Sequence, residues 1–241
     1  MNTDKESIKN IAVIVAGIDE EYQNSVIEGI IACAKDKNAN ISCFCAFGGV
    51  VSGSGFDIGE YNIYNLIHYS RFDGLILLTN TISDPAEKER IIRRAADSGL
   101  PAAVLDCADY PEFVNVSIDN TTPIKQIVTH IIKEHGAKRI NYISGPLANP
   151  EANARYRAFL DAMDENDLTP DARRIYFGQF RASDGRAAAN SFISSGLKMP
   201  DAIVCANDAM AIAAAEVLEA AGYRIPDDII ITGFDNIEDA R

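Results

Sequence analysis

Short, almost unbroken aliphatic runs alternate with stretches of helical period along nearly the whole chain, and this rhythm restricts the fold more than any other feature. Ile11–Val15, Ile41–Cys45, Gly74–Leu78 and Ala102–Leu105 are short and uniformly apolar, as strands are when a parallel sheet is buried on both faces. Glu21–Asp36, Tyr61–His68 and Ala86–Ser98 lie between them with helical spacing of apolar residues, and parallel strands need such crossovers. A fifth run, Phe113–Ile118, ends at Asp119-Asn120, where the rhythm restarts. It continues as helix Pro123–Glu134, strand Arg139–Ile143, helix Glu151–Glu165 and strand Ile175–Gln179, then helix Asp184–Ser194, strand Ala202–Cys205, helix Ala209–Ala221 and strand Ile229–Thr232. The expectation is an α/β chain of two doubly wound parallel-sheet lobes, 1–118 and 119–241, with a ligand cleft between them.

Length and composition agree: 241 residues, 47% hydrophobic and 24% charged, suffice for two cores. The net charge of −13 opposes a nucleic-acid or anionic-membrane surface on these residues. The polar start, Met1 to Asn10, runs into an apolar stretch too short for a signal-peptide core or a membrane span, so the expected location is the cytoplasm. Cys33, Cys43, Cys45, Cys107 and Cys205 lack CxxC or Cys/His ligand spacing and read as buried, reduced thiols, with no metal and no cofactor expected.

An enzyme reading fails on its parts. The glycine-rich segment Gly53-Ser54-Gly55-Phe56-Asp57-Ile58-Gly59 does not join the first strand to the first helix, where a dinucleotide fingerprint belongs; that turn reads Gly17-Ile18-Asp19-Glu20-Glu21, whose carboxylates repel a pyrophosphate. No nucleophile elbow, zinc-protease motif or P-loop occurs. His68, His130 and His135 fall on expected helices and read as packing or surface residues.

Polar residues gather instead at the strand ends: Asp19, Asn80, Asp106, Asp119-Asn120, Ser144, Asn207-Asp208 and Asp235-Asn236. In open parallel sheets, ligands bind beyond the carboxyl ends of the strands. Taken singly, each has a plain explanation: Asn207 or Asp208 caps a helix, Asp235 shapes a turn, and Arg155 is a solvated helix arginine. Their joint occurrence favours ligand binding, with Arg155 able to hold hydroxyl oxygens or a carboxylate by two hydrogen bonds.

The segments Asn115-Val116-Ser117-Ile118-Asp119-Asn120, Ile143-Ser144-Gly145-Pro146, Ala154-Arg155-Tyr156-Arg157-Ala158-Phe159, Ala206-Asn207-Asp208-Ala209-Met210-Ala211 and Ile225-Pro226-Asp227-Asp228 through Gly233-Phe234-Asp235-Asn236 resemble the effector-binding domain of lac-repressor-type (LacI/GalR) transcription regulators, relatives of the periplasmic binding proteins of type I. The resemblance covers the chain from about Ile11 onward and is most specific in the second half. It implies a ligand site on Arg155, Asn207 and Asp235, with Asp208 capping or bracing its helix, Phe180 offering an apolar face to a ring, and Asn120 nearby. From the first lobe it adds Asp19 and Tyr22.

The implied function is a non-catalytic, cytoplasmic sensor, dimeric, that binds a sugar or similar hydroxyl-rich or amine-bearing metabolite; a purine is compatible too. Ligand-driven lobe closure is the implied signal, needing differential binding on the order of 5 kcal/mol to invert the open and closed populations. Family members carry a DNA-binding segment ahead of this domain and a return segment after the Gly-Phe-Asp strand. The expectation is therefore a piece of a larger protein, with DNA contacted only through another segment. Gly59–Leu66 and Phe72–Asn80 are also similar to sensor modules fused ahead of a diguanylate cyclase. Export for transport and turnover by strand-end carboxylates are the weaker alternatives.

Overall fold

In the computed structural model, residues 7–47, 59–106 and 110–240 are described. They form two compact units, divided between Ile118 and Asp119.

The first unit is built on β1 (Lys9–Ala16), β2 (Ala39–Ala46), β3 (Gly74–Leu77), β4 (Ala102–Leu105) and β5 (Val114–Val116), hydrogen-bonded in the order β2-β1-β3-β4-β5. All its pairings are parallel. Helices α1 (Glu21–Asp36) and α2 (Pro85–Ser98) take opposite faces, as the pleat of β1 reveals. Val13 and Val15 pack with Ile27 of α1, whereas Ala12, Ile14 and Ala16 pack with Ile91, Ile92 and Ala95 of α2. Alternate burial on both faces is why β1 reads as an uninterrupted apolar run. Asp84 starts α2 by accepting the Glu87 amide at 2.8 Å, satisfying one of the unpaired donors of a helix start.

The second unit repeats the plan: β6 (Ile140–Ser144), β7 (Ile175–Phe177), β8 (Ala202–Cys205) and β9 (Ile230–Thr232), parallel in the order β7-β6-β8-β9. Its helices are α3 (Thr122–His135), α4 (Pro150–Glu165), α5 (Ala182–Ser194) and α6 (Asp208–Ala220). Tyr142 of β6 stacks on Phe159 of α4 with centroids 4.6 Å apart, adding directional packing to the burial of two large rings. In each unit the chain leaves the first strand in both directions across the sheet, so the reversal points lie between β1 and β3 and between β6 and β8. At such points the loops beyond the strands diverge and open a crevice.

Two sequence expectations need correction. Tyr61–His68 is not an α-helix: Tyr61–Leu66 is a 3-10 helix, and His68 lies outside it. Tyr61 and Tyr64 override helical periodicity by burying themselves under the sheet, with Tyr64 donating to the Val15 carbonyl at 2.7 Å. The cysteines are not uniformly buried: Cys205 is, but Cys33 and Cys43 are exposed and Cys45 is intermediate, because Cys43 and Cys45 lie on the edge strand β2 and Cys33 on a solvent-facing position of α1. Arg155 is buried, 4% exposed, which excludes the plain reading of it as a solvated helix arginine. Cys107 and most of the Gly53–Gly59 segment lie outside the described residues.

Candidate functional site

The second unit gathers its polar residues beyond the carboxyl ends of β6, β8 and β9. Asn149 begins α4 by accepting the amides of Glu151 and Ala152, which sets the helix so that Arg155, one turn further on, projects inward. Its Nε donates to Asn120 Oδ1 and its Nη1 to the Ala206 carbonyl, each at 2.7 Å. Asp235 Oδ1 stands 3.7 Å from Nη1, and Glu151 Oε1 stands 3.7 Å from Nη2. The guanidinium lies 3.7 Å from the centroid of the Phe234 ring, over its face. A buried cation of this kind is stable only when paired and hydrogen-bonded.

Asn207 caps α6. Its Oδ1 accepts the Met210 amide at 3.1 Å and its Nδ2 donates to the Phe180 carbonyl at 2.9 Å. One side chain thus starts a helix and pins the loop after β7. Asp208, the first residue of α6, braces instead of capping: its Oδ2 accepts the Ile237 amide at 3.0 Å, and its own amide donates to the Phe234 carbonyl at 2.9 Å. The Asp235 loop is thereby tied to the helix start.

Two glycines permit this closeness. A Cβ on Gly145 would fall 2.4 Å from Phe180 Cζ, and one on Gly233 would fall 2.0 Å from Asp208 Oδ1. The backbone is strained nearby: φ is +67° at Phe180, +103° at Asp235 and +59° at Asn236. Left-handed conformation in a residue as bulky as Phe180 is rare and gathers at sites where function demands it.

Buried hydroxyls complete the picture. Tyr142, Ser144 and Thr232 have hydroxyls shielded from solvent without a hydrogen-bond partner. Tyr142 and Thr232 are linked through Val204 in the strand register, so they share a sheet face, and Ser144 lies two residues along β6 from Tyr142. Native folds leave few such groups unsatisfied unless water or a ligand reaches them. Burial pushes the Tyr142 phenol above its ordinary range, with the Arg155 charge opposing.

In the first unit, Asp19 is exposed on the turn between β1 and α1. Tyr22 donates to Asp106 Oδ2 at 2.6 Å; Asn80 donates to the Asp106 carbonyl and accepts from Lys88 Nζ at 2.8 Å. Asp106 is another left-handed residue, at φ +58°.

Asn120, Arg155, Phe180, Asn207 and Asp235 therefore converge within one unit, while Asp19 and Tyr22 belong to the other. Sequence reasoning missed Glu151, Phe234 and Asp106 as partners. Glu151 and Arg155, four residues apart on α4, were a legible signal; Asp106 was legible only as a polar strand end. Among the described residues, no group of three or more His, Cys, Asp or Glu side chains is placed to hold a metal ion, and no helix is long and apolar enough to cross a membrane.

Comparison with known proteins bears on this arrangement. Residues 129–241 match the periplasmic binding protein-like domain. The matched span holds Arg155, Phe180, Asn207 and Asp235. The chain is 31% identical over 180 residues to the HTH-type transcriptional repressor PurR of Histophilus somni (strain 129Pt), covering 75% of this chain and 53% of that protein. It thus spans about half the length of the curated relatives it matches. Among solved structures, the transcriptional regulator CelR–cellobiose complex aligns with a TM-score of 0.78 at 22% identity, over 95% of this chain and 68% of that one. A dimeric Lac repressor with a C-terminal deletion gives 0.77 at 22%, over 95% and 80%. These likenesses carry the fold of the periplasmic binding protein-like domain.

Proposed function

We propose that this chain is the ligand-sensing, non-catalytic part of a cytoplasmic transcription regulator, acting as a dimer and reading DNA only through a segment outside the residues described. Its effector is a small polar metabolite bearing several hydrogen-bond donors, a sugar above all, held by Arg155, Asn207, Asp235 and Asn120 with Phe180 against its ring. Asp19 and Tyr22 supply the first unit's contacts, and binding alters the arrangement of the units.

The observation that carries this reading is the buried Arg155 with Asp235 and Glu151 each 3.7 Å away. A guanidinium held by neutral acceptors with two carboxylates beside it offers a ligand both charged donors and charged acceptors, the combination that hydroxyl- or amine-bearing molecules can hydrogen-bond. The three unpartnered hydroxyls of Tyr142, Ser144 and Thr232 add donors and acceptors in the same unit. The cellobiose in the CelR complex is a molecule of the proposed class.

A thermal-shift screen of sugars, sugar phosphates, nucleosides and amino acids tests the reading, because a ligand of the folded state raises the midpoint by mass action. A saturable shift confined to one chemical class and lost in Asp235→Asn is expected. No shift from a chain folded by circular dichroism, or a shift that survives both Asp235→Asn and Arg155→Lys, overturns it.

A further inference from the structure

The imidazoles of His130 and His135 meet at the C-terminal end of α3, both exposed. Their Nε2 atoms are 3.3 Å apart, and the ring centroids are 5.1 Å apart with planes at 73°. We propose that this pair is a two-histidine chelating site for a borderline divalent transition-metal ion of the Zn2+, Ni2+ or Co2+ class.

The separation of the two nitrogens, 3.3 Å, suits a single bridging ion. Zinc–imidazole bonds of about 2.0–2.1 Å at the tetrahedral angle place two ligating nitrogens about 3.3–3.4 Å apart. His130 and His135 already hold Nε2 at that spacing, so little rearrangement is needed to turn one nitrogen–nitrogen contact into two metal bonds. Neutral imidazole is a preferred ligand of these ions.

The surroundings favour a cation. His135 lies on the last turn of α3 and His130 about one turn before it, close to the negative end of the helix macrodipole. The chain as a whole carries −13, which concentrates cations near its surface. Lys133 opposes this and Glu134 assists it; both are exposed neighbours on the same turn. With two protein donors, water fills the remaining positions, so binding is modest and reversible. The site is unrelated to the Arg155 cluster and does not depend on the effector reading.

The test uses the full chain without a polyhistidine tag, stripped with chelator and titrated with Ni2+, which favours imidazole over the exposed thiols of Cys33 and Cys43 less ambiguously than Zn2+ does. Calorimetry is expected to give one site per chain, weakened roughly tenfold or more in His130→Ala and in His135→Ala and unchanged in His68→Ala and Cys43→Ser. In one-dimensional NMR, Ni2+ broadens the ring protons of His130 and His135 before those of His68. Both histidines are exposed, so their alanine variants should keep the wild-type thermal midpoint without metal. Affinity equal to wild type in both variants, or binding abolished by Cys43→Ser, overturns the proposal.

Discussion

Arg155 and Asp235 approach to 3.7 Å, yet the direct hydrogen bonds of the guanidinium go elsewhere, to Asn120 and the Ala206 carbonyl. The arginine is thus positioned by neutral acceptors and the carboxylate is kept within its field without being joined to it. Such a pair is pre-oriented, and a ligand group inserted beside it meets charges that need no further ordering.

Removing the arginine should harm the fold as well as binding. Arg155→Ala removes a donor from Asn120 and from the Ala206 carbonyl and takes a cation from beside two carboxylates that are 12% and 14% exposed. A loss of about 2–4 kcal/mol is expected, measured by urea denaturation. Arg155→Met should lose nearly as much, because the missing element is charge and hydrogen bonding, not volume.

Asn207 separates two roles through its two amide atoms. Asn207→Asp keeps the acceptor toward Met210 and loses the donor toward Phe180; Asn207→Ala loses both. The alanine variant should be less stable by about 1 kcal/mol, the usual worth of a helix cap, with the aspartate variant close to wild type. Effector affinity should fall in both, since each releases the Phe180 loop. Paired denaturation and binding measurements decide this.

Gly145→Ala should act on binding through Phe180. The added Cβ would sit 2.4 Å from the ring, so the ring must move. The expected result is a drop in effector affinity of tenfold or more with an overpacking cost of about 1–3 kcal/mol. Crystallography of the variant should find Phe180 displaced.

Ser144→Ala removes a hydroxyl that is fully buried and unpartnered. Stability of the ligand-free chain should stay level or rise by up to about 1 kcal/mol, because an unsatisfied buried polar group costs free energy. Thermal midpoints measured without ligand check it.

Acid should weaken the fold through Asp171 and Asp228. Hydrogen bonds from Arg173 and Arg224 hold their carboxyls down at about 2, against an ordinary 3.8. With the folded value depressed, the stabilisation is present above the unfolded value and lost as pH falls from about 4 toward 2. Both groups are at the surface, so the effect is small and weakens with salt. Carboxyl titration by NMR should put Asp228 near 2 in the wild type and near its ordinary value in Arg224→Gln.

The strands and most helices were legible in the sequence because burial on both faces of a parallel sheet writes itself as short aliphatic runs, and because crossovers write themselves in helical period. β4 and α1 fall on the expected residues. The polar strand ends were legible for the same reason: side chains there need no apolar partner, so Asn207 and Asp235 stand out against Ile203-Val204-Cys205 and Ile230-Ile231. Tertiary structure alone decided what each polar group does. Spacing on α4 does not reveal that Arg155 is buried, since that depends on Asn120 and Ala206, which lie 35 and 51 residues away. Nor does it reveal that Asn207 caps while Asp208 braces, a choice made by the Asp208 contacts with Phe234 and Ile237. Hydrophobic periodicity is a local record of burial, whereas hydrogen-bond partnership is set by which distant strand ends the sheet order brings side by side.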